Sequence, residues 1–163
     1  MFKDRTDAAQ QLSQRLRHYR GQHPLVLAIP RGAVPIAHVL AAALDGDLDV
    51  VLVHKLCAPF EPEVAIGAID ETGRTWLAPH AHAMGATPAY IQAERQRQLH
   101  VLHDRRLRCS AIRSPISATG RLVIVVDDGM ATGATMMAAL QALRERHPAR
   151  LVCATPVASS NAS

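Results

Sequence analysis

The sequence predicts an α/β fold, an open and mainly parallel sheet of five strands flanked by helices. Three observations carry this prediction. Unbroken apolar runs recur at residues 25–29, 50–53 and 122–126; runs without polar alternation mark strands buried on both faces. Segments of helical spacing lie between them, in the order strand, turn, helix, strand. Hydrophobic residues make up 48% of the 163 positions and charged residues 20%, a balance that supports the buried core of one domain.

Thr6 can cap a first helix whose apolar positions, Ala9, Leu12, Leu16 and Tyr19, approach the i, i+3, i+4, i+7 pattern. Gly21 and Pro24 end it. Residues 25–29 form the first strand, stopped by Pro30-Arg31-Gly32, and residues 34–44 a helix that is apolar all round. The second strand spans 49–54. Residues 55–63, with Pro59 and Pro62, form a loop, and residues 64–69 and 75–77 the arms of a hairpin around Glu71-Thr72-Gly73-Arg74. Thr87-Pro88 opens a long helix over 89–107, with proline early, where its missing N–H costs little. Its charges, Glu94, Arg95, Arg97, Asp104, Arg105 and Arg106, read as a solvated face. Residues 109–120 are rich in Ser, Pro and Thr and read as a mobile loop.

The third buried strand covers 122–126, followed by a turn (127–132), a helix (133–146) and a last strand (151–157). The crossovers of such an order are right-handed, which gives a Rossmann-like sheet. Residues 1–157 form one core domain, and the polar residues 158–163 a disordered tail.

Composition narrows the partners. A formal charge of +4 suits an anion, without separating nucleic acid from a small polyphosphate. Five aromatic residues, Phe2, Tyr19, Phe60, Trp76 and Tyr90, are too few and scattered to stack single-stranded nucleic acid, which is not an expected partner. Cys57, Cys109 and Cys153 are odd in number and lack C-x-x-C spacing. They read as reduced thiols of a cytoplasmic protein rather than a disulfide framework. Met1-Phe2-Lys3-Asp4-Arg5 has no signal-peptide character. No apolar run approaches the ~20 residues of a membrane span. His80 with His82, and His100 with His103, lack a third ligand and read as solvated.

In open α/β sheets ligands bind beyond the carboxyl ends of strands, where the strand order reverses. Three turns lie at such ends, after Ile29, Val53 and Val126. The third carries the strongest pattern. Val123-Ile124-Val125-Val126 runs into two acids, Asp127 and Asp128, then into Gly129, Met130, Ala131, Thr132, Gly133, Ala134 and Thr135. Small residues let a phosphate approach backbone amides, and the following helix turns its positive end to the same point. Thr132 and Thr135 add hydroxyl donors, and the paired carboxylates can accept hydrogen bonds from two sugar hydroxyls. The combination suits a ribose 5-phosphate. It is neither a Walker loop nor a dinucleotide fingerprint, because Gly-Lys-Ser/Thr and G-x-G-x-x-G are both absent. Without the acid pair, Pro30-Arg31-Gly32 would read as a generic turn and Lys55 as a solvated strand end. Glu63 reads as a surface carboxylate.

The thirteen residues from Val123 to Thr135 resemble the phosphoribosyl pyrophosphate (PRPP) signature of the type I phosphoribosyltransferases. The resemblance extends over roughly residues 2–157. Ala28-Ile29-Pro30-Arg31-Gly32-Ala33-Val34-Pro35 is similar to the family's pyrophosphate loop, where amides and a basic residue meet pyrophosphate, often through a non-proline cis peptide. His54-Lys55-Leu56 and Glu63-Val64-Ala65-Ile66-Gly67-Ala68 look like a little-characterised bacterial branch. The resemblance implies a type I phosphoribosyltransferase core with a hairpin and flap. It implies PRPP and pyrophosphate on Arg31, Gly32, Lys55 and the turn from Asp127 to Thr135, with Asp127 and Asp128 holding the ribose hydroxyls directly or through Mg2+. Arg31, Lys55, Asp127 and Asp128 are the expected catalytic residues.

Transfer would go to a nitrogen nucleophile, with release of pyrophosphate. Where 6-oxopurine relatives carry an Asp that acts as base, this chain has Ala131, which argues against a hypoxanthine-guanine enzyme. Against the relatives' pattern, little or no hood for the acceptor is expected in these residues. Residues 108–120 stand where relatives carry a flap that closes over PRPP and excludes water. Relatives are often homodimers. The alternative is a non-catalytic module that senses PRPP or a nucleotide.

Overall fold

The structure, a computed structural model, describes residues 2–109 and 114–159. In chain order these residues form α1 (Arg5–Leu16) with a 3-10 turn (Arg17–Tyr19), β1 (Leu25–Ala28), α2 (Val34–Ala43), β2 (Asp47–Val50), β3 (Val53–Cys57), β4 (Ala65–Asp70), β5 (Thr75–Leu77), α3 (Pro88–Cys109), β6 (Leu122–Val126), α4 (Ala134–Arg144) and β7 (Arg150–Ala154). The α/β reading holds. A parallel sheet runs in the order β2-β1-β6-β7, and an antiparallel sheet in the order β3-β4-β5.

The parallel sheet has four strands among the described residues, not five. The predicted strand 49–54 breaks in two, because Val51 donates its N–H to Ala28 of the parallel sheet (2.9 Å), whereas the Leu52 carbonyl accepts from Glu71 beside the antiparallel one (3.2 Å). Val51 and Leu52 are both buried, in different apolar clusters. Uniform apolarity over 50–53 therefore hides the change of sheet.

Alternation along β1 and β6 splits the core in two. Leu25, Leu27, Val123 and Val125 pack under α4 with Met136, Ala139 and Leu143. Val26, Ala28, Ile124 and Val126 pack on the opposite face with Ala9, Ile36 and Leu40 of α1 and α2. A third cluster, Leu52, Leu56, Ile66, Ile69 and Leu102, joins the hairpin to α3.

The cap of α1 is Asp4 rather than Thr6. Its side chain accepts the Asp7 amide at 2.8 Å, and Thr6 lies inside the first turn. Arg106 departs from the solvated face expected of α3, because it is buried among acids. Its Nε donates to Glu71 Oε2 (2.6 Å) and its Nη2 to Glu71 Oε1, while Nη1 donates to Asp49 Oδ1 (2.8 Å). Asp49 Oδ2 in turn accepts the Ile116 amide at 2.9 Å. A rigid guanidinium fork suits such bidentate pairing, and here it ties α3, β2, the hairpin turn and residue 116 together. Of the expected flap, residues 110–113 lie outside the described residues; Ala118 is buried and Ile116 packs on the core.

Of the residues expected as a tail, Ala158 pairs with Met130 in a parallel bridge and the Ser159 amide donates to the Met130 carbonyl (2.9 Å). Residues 160–163 lie outside the described residues. No described helix is long and apolar enough to cross a membrane.

Candidate functional site

β1 leads to β2 on one side of the parallel sheet, while β6 pairs with its other side. The strand order therefore reverses between β1 and β6, and a crevice opens beyond their carboxyl ends. The turns after these two strands are those with the expected pyrophosphate and acid motifs. Register explains their approach: Ala28 lies beside Val126, and the Ile29 amide donates to the Val126 carbonyl at 2.9 Å.

The turns touch at Gly32 and Asp128. A Cβ added to Gly32 would fall on the Asp128 carboxylate, 2.8 Å from Oδ1 and nearer still to its other atoms. Glycine at this position is thus a matter of space. The Pro30–Arg31 peptide is cis, the form the resemblance implied.

Asp127 and Asp128 are half-buried. Burial pushes the Asp127 carboxyl above its ordinary value; the amide of Asp128, which donates to it at 2.9 Å, opposes the shift, and the charge of Asp128 adds to it. Asp128 also pairs with Arg5, whose Nη2 lies 3.1 Å from Oδ2. Arg5 was not foreseen as part of this site, although one turn back from Ala9 along the α1 stripe lands on it.

Beyond the acids, Gly133 takes φ +75° and caps α4, a left-handed conformation that glycine adopts without a Cβ clash. The amides of Ala131, Thr132 and Gly133 donate to no group among the described residues. Three open N–H groups at the start of a helix form a place for an anion. The turn is held from behind, where the Met130 amide donates to the Val157 carbonyl at 2.9 Å and Ser159 Oγ donates to the Ala131 carbonyl. That clamp was also missed, because residues 158 and 159 carry no pattern of their own.

Arg31 is exposed in the turn after β1, and Lys55 is exposed on β3 in the other sheet. Neither side chain pairs with an acid among the described residues. The structure thus brings together Arg31, Gly32, Asp127, Asp128 and the turn to Thr135, and leaves Lys55 on the adjoining sheet. No described group of three or more His, Cys, Asp or Glu could hold a metal alone. Two open grooves of about 570 and about 360 Å3 lie beside Glu145 and His147, at the far end of α4 from this turn.

Comparison with known proteins agrees with this architecture. Residues 2–162 match the family model described as the phosphoribosyl transferase domain. A Mycobacterium tuberculosis protein provisionally named a phosphoribosyl transferase is 42% identical over 158 residues, 96% of this chain. The chain spans 36% of the length of that curated relative. A crystal structure from Thermus thermophilus superposes with a TM-score of 0.91 at 43% identity, covering 99% of this chain and 77% of that one. A purine phosphoribosyltransferase from Pyrococcus horikoshii shares the fold, with a TM-score of 0.58 at 16% identity over 98% of this chain and 75% of its own.

Proposed function

Because the chain belongs to the phosphoribosyl transferase domain family, we propose that it binds PRPP with magnesium and transfers the 5-phosphoribosyl group to a nitrogenous acceptor, releasing pyrophosphate. The observation that carries this reading is the meeting of two turns at the switch point. One brings open amides and an acid pair, and the other brings Gly32 against Asp128, preceded by the exposed Arg31.

On this reading the amides of Ala131, Thr132 and Gly133 bind the 5-phosphate, with the hydroxyls of Thr132 and Thr135. Asp127 and Asp128 accept hydrogen bonds from the ribose hydroxyls. Gly129, Met130 and Ala134 line the sugar phosphate with small or backbone groups. Arg31, the Gly32 amide and Lys55 face the pyrophosphate. The donor set fits Mg2+, which takes one or two carboxylates and completes its shell with substrate oxygens and water. When bound, it would neutralise charge on the leaving pyrophosphate.

The bond from C1 to pyrophosphate oxygen breaks as a bond from the acceptor nitrogen to C1 forms, and the acceptor gives up a proton. The protein's part is to position the sugar and stabilise the departing charge. Ala131 offers no side-chain base, so an acceptor needing proton removal at that place is disfavoured.

The test is a calorimetric titration of PRPP and magnesium into wild type and Asp127→Asn/Asp128→Asn. Purines, pyrimidines and ammonia are then screened for pyrophosphate release. Binding that disappears in the double variant supports the site, and retained binding refutes it. Binding with no turnover across the screen favours the sensing module instead.

A further inference from the structure

Arg5 lies on the α1 stripe one turn ahead of its buried residues, with its side chain 66% exposed. Ala8 and Ala9 are buried, and Ala9 packs with Ile36, Ala37 and Leu40 of α2, joined by Leu12, Leu16 and Tyr19. Arg5 lies three and four residues before the two alanines, on the same helical face. The apolar part of the stripe faces the core, and Arg5 continues the same face beyond it.

The path of the chain sets where that face leads. β1 runs toward the edge of the sheet that bears the acid turn, and α1 feeds β1 from the other end. The helix therefore starts at the acid edge and descends from it. Asp4 fixes that start by capping. From there the Arg5 guanidinium reaches Asp128, 123 residues away in sequence, with Nη2 to Oδ2 at 3.1 Å. This is the one ion pair that either acid makes among the described residues. Gly32 closes the Asp128 carboxylate from another side. Asp128 is thus held between a cation and a Cα, next to a second carboxylate whose charge repels it.

We infer that Arg5 is a positioning residue of the sugar-phosphate site, holding Oδ2 of Asp128 so that Oδ1 is presented to the ribose 2-hydroxyl. The inference rests on the reading that the acid pair holds the diol. Arg5 acts through Asp128 and does not itself touch the sugar. It extends the site to the N-terminal helix, which the motif-bearing turns do not include.

The experiment compares ribose 5-phosphate with 2-deoxyribose 5-phosphate, titrated with magnesium present into wild type, Arg5→Ala and Arg5→Lys. Wild type is expected to prefer the ribose compound. Arg5→Ala should lose about two- to fivefold in affinity for it, the range of an exposed ion pair. It should bind the deoxy compound as wild type does, and Arg5→Lys should recover part of the loss. Urea midpoints should differ only slightly across the three proteins, as for the loss of one exposed ion pair.

Wild type without any preference for the 2-hydroxyl would overturn the diol reading, and the inference with it. A preference that survives intact in Arg5→Ala would overturn the role of Arg5 alone. Equal weakening toward both compounds would show a merely structural effect. Tighter binding by Arg5→Ala would show that the guanidinium competes with the ligand, and would also overturn the inference.

Discussion

Gly32 and Asp128 lie in contact across the crevice, ninety-six residues apart in sequence, with the space for a glycine Cβ taken by the carboxylate. The atoms in the way belong to the far end of a side chain, so a methyl group here displaces Asp128 rather than the backbone.

Gly32→Ala should therefore leave stability within about 0.5 kcal/mol of wild type, as for a tolerated surface substitution. It should also abolish any preference for ribose 5-phosphate over its 2-deoxy analogue. Urea unfolding and calorimetry on the same preparation check both halves. A large stability loss would mean that the backbone, not the carboxylate, gives way.

Arg106 stands between two buried acids, Glu71 and Asp49. Those carboxylates raise the guanidinium further above its already high ordinary value, Glu71 contributing most, while burial opposes them. Arg106→Met leaves both negative charges buried without a partner, which should cost about 3–5 kcal/mol. Replacing all three, as Asp49→Asn/Glu71→Gln/Arg106→Met, removes the stranded charge and should recover much of the loss. Denaturant midpoints of the single and triple variants measure this.

His54 is half-buried on β3, and burial holds its imidazole below the ordinary value of 6.5; the charges of Arg105 and Lys55 act in the same direction, and Glu94 opposes them. The neutral ring is favoured in the folded state. Its contribution is complete above pH about 6.5, the unfolded value, and declines as pH falls toward the lower folded one. Between pH 7 and pH 5, wild type should lose more stability than His54→Asn, which has no charge to gain. Unfolding midpoints of the two proteins at both pH values decide it; parallel losses would contradict the assigned cause.

Ser159 grips the turn after β6 by its amide and its hydroxyl. Ser159→Pro removes the N–H that donates to Met130, and one net hydrogen bond is worth about 0.5–1.5 kcal/mol. Affinity for ribose 5-phosphate should fall by roughly two- to tenfold. Ser159→Ala, which keeps the amide, should fall less. Titration of both variants tests whether the clamp shapes the turn.

The parallel layers were legible because β1 and β6 are apolar on both faces and end in abrupt turns. The acid turn was legible because its chemistry is local: two carboxylates, small residues and a helix start, all within thirteen positions. What escaped notice depends on partners distant in sequence. Arg106 looks like any other charge on α3 until Asp49 and Glu71 fold beside it. Arg5 reads as part of a polar start until α1 is laid against α2. Val51 and Leu52 reveal no break, because an uninterrupted apolar run carries no mark of which sheet each residue joins.

That junction bears on whether Lys55 can reach the crevice. Two fully packed residues, not a slack tether, carry the chain from one sheet to the next. The hairpin is mounted like a bracket bolted to a wall. Any swing that brings the lysine inward must either bend β3 beyond the joint or carry the third apolar cluster along with it. The reach of that side chain is therefore governed as much by the packing around Leu52 as by its own four methylenes.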